Sequence, residues 1–124
     1  MPVRVGGRVM IDGGIVNPVP YEALKDLADI VIGVDVVGGP TGDGSVMPNR
    51  IDSLFGATQL MMQAQISLKL KIAPPDIFLR PAVNGFGVLD FLKAREIIKA
   101  TAGIKEELKH ALDARLTAFR PASR

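Results

Sequence analysis

The run DIVIGVDVV at residues 29–37 restricts the folds open to this chain, because it is almost continuously β-branched. Such a run is typical of a strand buried on both faces of a sheet. Before it, NPVPYEALKDLA at residues 17–28 has apolar residues at helical spacing, and two β-rich runs flank Gly6-Gly7. The sequence therefore predicts a two-residue hairpin, a short helix entered through a proline-fixed turn, and a strand parallel to the second hairpin strand.

The rest of the chain predicts helices that cover this sheet. A glycine-rich loop at 38–48 leads into a long helix over 49–73, which Pro74-Pro75 ends. A strand follows at 76–81, and Asp90 is expected to cap the next helix. The core-facing side of the long helix is predicted to carry Ile51, Leu54, Phe55, Thr58, Met61, Met62, Gln65 and Ile66. The apolar stripe of the terminal amphipathic helix, within 102–124, consists of Ile104, Leu108, Ala111, Leu112, Leu116 and Phe119.

Together these segments predict a single α/β domain over residues 1–124. We expect a mostly parallel sheet of three to four strands, an N-terminal hairpin and flanking helices. Hydrophobic residues make up 48% of the chain. That fraction predicts either a sheet covered on both faces or apolar surface that a partner covers.

Composition excludes several classes of function. The chain has no cysteine, so disulfides, thiolate catalysis and cysteine-bound metals are excluded. Its 15 basic and 13 acidic residues give a net charge of +2, and with one Tyr and no Trp they predict no nucleic-acid partner. The aspartates lie without metal-ligand spacing, so we predict neither a metal nor a cofactor.

The hydropathy pattern predicts no transmembrane segment. The longest uncharged run, residues 53–68, contains three Gln, a Thr and two Ser, and is too polar to span a bilayer. No signal peptide is recognised at the N-terminus. We expect a cytoplasmic protein, with peripheral membrane contact as an option for the long helix, although core packing explains the same pattern.

The usual groups of a serine hydrolase are not recognised in this chain. Ser45, Ser53, Ser67 and Ser123 all lack the flanking glycines of a Gly-x-Ser-x-Gly nucleophile turn. The single histidine, His110, falls on the polar side of the predicted last helix. A Ser-His-Asp triad within this chain is therefore not expected.

Asp12 is the one carboxylate in a specific setting, because it stands where a predicted strand becomes a glycine turn. The apolar residues expected to remove part of its hydration are Val9, Met10, Ile11, Ile15 and Val16. Desolvation makes a carboxylate a better base, while Gly13 and Gly14 permit positive φ and leave space beside it. Asp-Gly also forms ordinary turns. The residues alone leave both interpretations open.

Residues 8–37, which begin RVMIDGGIVNPVP, resemble the aspartate-bearing motif of patatin-like phospholipases, a family of lipid acyl hydrolases. In that family a strand ends in Asp-Gly-Gly or Asp-Gly-Ala. A valine- or isoleucine-rich turn, Asn-x-Pro, a helix and a buried strand ending near Val-Asp-Val follow. Residues 74–100 resemble the segment that closes the bacterial members. The resemblance implies a partial patatin-like three-layer fold.

The resemblance further implies that Asp12 is the general base of a Ser-Asp dyad that needs no histidine. Gly13, Gly14, Asn17 and Pro18 are then the residues that support the motif. The family's nucleophile motif and its glycine-rich oxyanion loop are missing from this sequence. We therefore expect the C-terminal portion of a longer serine lipid acyl hydrolase: an expressed fragment, a proteolytic product or part of a split gene. Its expected partners are a lipid or carboxylic ester substrate and the missing N-terminal portion, without which it should be inactive.

A function of another class also fits the residues. The chain is then a non-catalytic α/β interaction domain that associates with itself through an exposed strand edge. In that case nothing depends on Asp12.

Overall fold

The computed structural model of the chain describes residues 2–40, 44–87 and 90–118. The centre of the predicted glycine-rich loop, with Phe119 and Ser123, lies outside these residues. Seven regular elements are described: β1 (Val3–Val5), β2 (Arg8–Met10), β3 (Ile32–Val34), α1 (Arg50–Ile72), β4 (Ile77–Leu79), α2 (Ala94–Ala100) and α3 (Ile104–Ala118). Short 3-10 helices cover Gly13–Ile15, Tyr21–Leu24 and Phe91–Lys93. The mixture of helices and small sheets is α/β in broad outline.

The predicted N-terminal hairpin is confirmed. β1 and β2 pair antiparallel, with Arg4 opposite Val9. Gly6 and Gly7 have φ values of 55° and 79°. A two-residue turn of this kind needs positive φ at both positions, which only glycine adopts without strain.

The predicted parallel sheet of three to four strands is wrong in extent. Within the described residues β2 pairs with β1, and β3 pairs with β4 in parallel, so that two two-stranded sheets form. The ladder between β3 and β4 continues past both strands, since the Asp35 amide donates to the Leu79 carbonyl at 2.9 Å. The expected parallel neighbour of β3 was β2, and that pairing does not occur.

The segment between β2 and β3 explains this difference. The helix predicted over 21–28 is replaced by the 3-10 helix Tyr21–Leu24 and turns. Pro18 and Pro20 precede this stretch, where proline is compatible with the start of a helix, so they do not account for the difference. The segment instead contacts α1, where Lys69 donates to the Asn17 side chain and to the Val19 carbonyl. The segment packs along α1, as described below, and does not place β2 beside β3.

α1 forms where it is predicted. The Asn49 side chain accepts hydrogen bonds from the amides of Ile51 and Asp52 at 2.8 and 2.9 Å, which is an N-cap. The helix ends at Ile72, two residues before Pro74-Pro75. Its buried face is rotated from the predicted one: Gln59 and Ile66 are buried. Among the residues predicted to face the core, Ile51, Leu54 and Met61 are exposed.

The core is small and lies between α1 and the β3–β4 sheet. Its members are Val19, Tyr21, Val31 and Ile66, with Val37, Leu70 and Phe78 packed against them. Tyr21 is buried, and its hydroxyl has no hydrogen-bond partner among the described residues. Burial raises the pKa of this hydroxyl.

The C-terminal helices follow the prediction with two differences. Asp90 stands at the start of the 3-10 helix Phe91–Lys93, but its carboxylate accepts from the amide of Gly87, at 2.9 Å, and from Lys93 rather than capping the helix. α3 packs against β4, where the Arg115 guanidinium donates to the Asp76 carbonyl. Of the predicted stripe on α3, Leu116 is exposed. The half-buried members are Ile104, Leu108, Ala111 and Leu112.

Candidate functional site

Asp12 follows β2 after one residue, Ile11, and caps the 3-10 helix Gly13–Ile15. Its Oδ1 accepts a hydrogen bond from the Gly14 amide at 2.7 Å, and the Gly13 carbonyl accepts from the amides of Val16 and Asn17. This is an Asx turn, in which a short carboxylate takes the place of a backbone acceptor. Oδ2 has no hydrogen-bond partner among the described residues. One oxygen therefore fixes the turn while the other faces outward.

The glycines beside Asp12 act differently from the prediction. Neither Gly13 nor Gly14 has positive φ, so the expected left-handed path is wrong. A Cβ on Gly14 would lie 3.1 Å from Asp12 Oδ1 and 3.5 Å from the Met62 sulfur, whereas one on Gly13 would meet nothing within 4 Å. A larger residue at position 14 would therefore have to displace the Asp12 carboxylate, whereas Gly13 leaves the expected open space beside it.

The predicted desolvation of Asp12 is wrong for this chain by itself. Asp12 is exposed, and Ile11 and Val16 on either side of the turn keep 66% and 77% of their surface accessible. The carboxylate borders an open cavity of about 440 Å³ lined by Pro2, Val3, Met10, Ile11 and Asp12. The apolar residues are present as predicted, but no described element covers the hairpin that carries them.

Asn17, predicted to support the motif, belongs to a compact polar network. Its side-chain amide donates to Glu22 and accepts from the ammonium of Lys69. That ammonium also donates to the Val19 carbonyl at 2.7 Å, lies 2.6 Å from Glu22 Oε2, and stacks over the Tyr21 ring. The hydrogen bond from Lys69 lowers the pKa of Glu22. Pro18 lies half-buried between Asn17 and Val19.

One face of α1 supports the whole segment from Gly14 to Val19. Met62 lies against Gly14, the Gln65 side chain donates to the Ile15 carbonyl at 3.0 Å, and Lys69 contacts Asn17 and Val19. Positions 62, 65 and 69 fall on one side of a helix. The sequence analysis missed Lys69 and Glu22. For Lys69 the signal would have been a polar residue on the face of α1 that also carries Met62. Glu22 lies in the 3-10 helix Tyr21–Leu24, which contacts that face.

Asp35 is a second carboxylate that the sequence analysis did not single out. It follows β3 and is 2% exposed. Its Oδ2 accepts from Arg80 Nε at 2.9 Å and its Oδ1 from the Val37 amide at 3.0 Å. Burial with two partners makes it a structural carboxylate that joins the carboxyl ends of β3 and β4.

A second cavity, of about 450 Å³, lies beyond those strand ends. Its lining combines the segments after β3 and β4 with α1 and α2: Val36, Val37, Gln59, Met62, Pro81, Val83, Phe86, Gly87, Ile97 and Thr101. Met62 is shared, since it lines this cavity and also lies against Gly14 of the Asp12 turn. Parallel strands commonly place ligands beyond their carboxyl ends.

The remaining candidate groups lie elsewhere in the fold. Ser53 and Ser67 are exposed within α1 rather than at a strand-to-helix turn, and Ser45 follows the undescribed centre of the loop. His110 is exposed on α3, as predicted. The part of the chain that the structure describes contains no group of three acidic or histidine side chains that could bind a metal ion. Nor does any helix within it have the length and apolarity to cross a bilayer.

No protein-family model matches this chain. The patatin-like assignment of residues 8–37 therefore stays a prediction. Function has to be argued from the site itself.

Proposed function

We propose that this chain is the aspartate-bearing, C-terminal portion of a serine lipid acyl hydrolase of the patatin-like type. Asp12 is the general base, and another segment supplies the nucleophilic serine. The position of Asp12 after a strand supports this role, as does a turn that uses one carboxylate oxygen and leaves the other toward solvent. A base must reach the proton that it removes, and Oδ2 meets that requirement.

The observation that carries the proposal is the uncovered apolar surface around Asp12. All six residues of β1 and β2 are exposed, and so are Ile11, Ile15 and Val16 around the turn. Contiguous apolar surface of this kind marks a site where another surface packs. A segment that covered the hairpin would add strands toward a three-layer fold and would desolvate Asp12.

The proposed reaction uses Asp12 twice. Its carboxylate takes the proton of the serine hydroxyl as the serine oxygen attacks the ester carbonyl. The alcohol leaves with that proton, and an acyl-enzyme remains. Asp12 then takes a proton from water as the water oxygen attacks the acyl-enzyme carbonyl. The bond to the serine oxygen breaks, Asp12 returns the proton to that oxygen, and the fatty acid leaves. The proposed substrate is a lipid or other carboxylic ester, reached in the cytoplasm by peripheral membrane contact.

The test begins with the coding sequence immediately upstream, which should encode an in-frame Gly-x-Ser-x-Gly segment. Coexpression of that segment with this chain should give turnover of a 4-nitrophenyl ester, and either part alone should give none. Asp12→Asn should reduce the rate at least 10³-fold, on the order of what a general base contributes. Asp26→Asn, at an exposed turn position, is the matched control and should leave the rate unchanged. Retained turnover in Asp12→Asn would reduce Asp12 to a turn residue.

The same uncovered hairpin favours a second candidate, a self-associating interaction domain. A two-stranded sheet that pairs with no further described strand offers free backbone groups to another copy. In that case sedimentation should show a concentration-dependent dimer. Val9→Lys should abolish the dimer, and Asp12→Asn should leave it intact.

A further inference from the structure

The cavity beyond β3 and β4 has a lining that selects for hydrocarbon. Its described lining residues include no charged side chain, and the polar side chains among them are Gln59 and Thr101. The Gln59 amide already donates to the Val37 carbonyl at 3.2 Å, and the Thr101 hydroxyl donates to the Ile97 carbonyl at 2.8 Å. Each side chain therefore uses one donor within the protein, which reduces what it can offer a polar ligand.

Backbone carbonyl groups beside the cavity also accept hydrogen bonds from within the protein. The Gln63 side chain donates to the Gly38 carbonyl, next to the Val37 carbonyl that Gln59 occupies. Two glutamine side chains of α1 thus donate to two consecutive carbonyl groups in the segment after β3. The remaining surface consists of aliphatic and aromatic groups from Val37, Val83, Phe86 and Ile97.

The size and position of the cavity suit one chain of a lipid. A volume of about 450 Å³ falls within the range of small-molecule sites. Met62 lines the cavity and also lies against Gly14, so the cavity is next to the Asp12 turn.

We infer that this cavity binds the unbranched alkyl chain of the carboxylic ester or of its fatty-acid product. The inference rests on the proposed function for the identity of the ligand. It concerns binding alone and requires neither a serine nor Asp12. Selectivity then arises from chain length, because each methylene placed in the cavity removes a further increment of apolar surface from water.

The experiment titrates the isotope-labelled 124-residue chain with hexanoate, octanoate and decanoate, each below its aggregation concentration, and follows backbone amides by NMR. We expect saturable shifts at Val37, Val83, Ile97 and Thr101. Affinity should rise about 15-fold for each pair of added methylenes. Shifts confined to the hairpin, or affinity independent of chain length, would overturn the inference.

Two cavity-filling variants localise the binding. Val83→Phe and Ile97→Phe should each weaken decanoate binding at least tenfold, whereas Val46→Phe, at an exposed loop position, should bind as the parent does. If both filled variants keep their folded NMR dispersion and bind normally, the cavity is not the site. If neither variant folds, the dependence of affinity on chain length and the positions of the shifted amides in the parent chain test the inference.

Asp12→Asn should bind decanoate as the parent does, which separates this inference from the proposed function. If decanoate does not bind, the alkyl-chain site is rejected, and the ester-turnover test of Asp12 is unaffected. Conversely, if ester turnover persists in Asp12→Asn, the role of Asp12 as general base is rejected, and the decanoate result is unaffected.

Discussion

At the residue scale, Asp12 performs a structural task that does not exclude a chemical one. Its Oδ1 closes the turn on the Gly14 amide, and Oδ2 has no partner within the described residues. Because one oxygen is already fixed, the carboxylate loses little conformational entropy when the other oxygen accepts a proton. A mobile surface carboxylate would lose more.

The two glycines after Asp12 should respond differently to the same substitution. Gly14→Ala places a methyl group 3.1 Å from Asp12 Oδ1, so it should displace the carboxylate and lower the free energy of unfolding by about 1 kcal/mol. Gly13→Ala meets open space at an ordinary φ and should be neutral or slightly stabilising. Urea unfolding measures both, and the residue-14 amide shift reports the hydrogen bond. Equal effects from the two variants would contradict the close packing at Gly14.

At the scale of elements, α1 is the support on which the Asp12 segment rests. Met62, Gln65 and Lys69 contact this segment in successive turns of the helix. Asn49 caps the start of α1, and the helix ends before two prolines. These two ends define the length of the face that contacts the segment.

Lys69 and Glu22 should give the segment a defined response to acid. The Glu22 pKa lies below its ordinary value of 4.5, chiefly through the hydrogen bond from Lys69. A lowered folded pKa means that the pair stabilises the fold above about pH 4.5 and that this contribution is lost as pH falls through the folded pKa. Since Glu22 is partly exposed, the contribution should stay below about 1 kcal/mol.

We therefore expect Glu22→Gln to be less stable than the parent at pH 7, and we expect this difference to shrink as pH falls below 4.5 through the folded pKa of Glu22. Lys69→Met also loses its bond to the Val19 carbonyl and should cost about 1–3 kcal/mol at pH 7. Lys71→Met, on an exposed position of the same last turn, is the control. Chemical denaturation across pH measures these differences. A Glu22→Gln deficit that stayed constant as pH falls from 7 to 2 would show that the charge of Glu22 is not its cause.

Local elements were predictable because their causes are local. Gly6-Gly7 permits the hairpin turn, and Pro74-Pro75 ends α1. The pairing of β2 with β3 was wrong because it depends on the conformation of the 21 positions between them, and that conformation is coupled to contacts with α1, which is distant in sequence. The network of Asn17, Glu22 and Lys69 was missed because its members lie up to 52 positions apart in sequence.

At the scale of the whole molecule, the distribution of apolar surface is uneven. The core between α1 and the β3–β4 sheet is small, while the β1–β2 hairpin and the outer side of α1 leave large apolar side chains exposed. The high hydrophobic fraction predicted covered apolar surface, and in this chain much of that surface has no cover within the described residues. The exposure of Asp12 follows from the same fact, because its hydration depends on what packs over the hairpin.

The most direct measurement is labelling by a fluorophosphonate probe, which reacts with an activated serine. The chain by itself should stay unlabelled. Together with the upstream Gly-x-Ser-x-Gly segment it should be labelled stoichiometrically on that segment's serine, and Asp12→Asn should abolish the labelling while Asp26→Asn preserves it. Labelling of Ser45, Ser53, Ser67 or Ser123 in the chain alone, or full labelling of the assembled Asp12→Asn variant, would contradict the role proposed for Asp12.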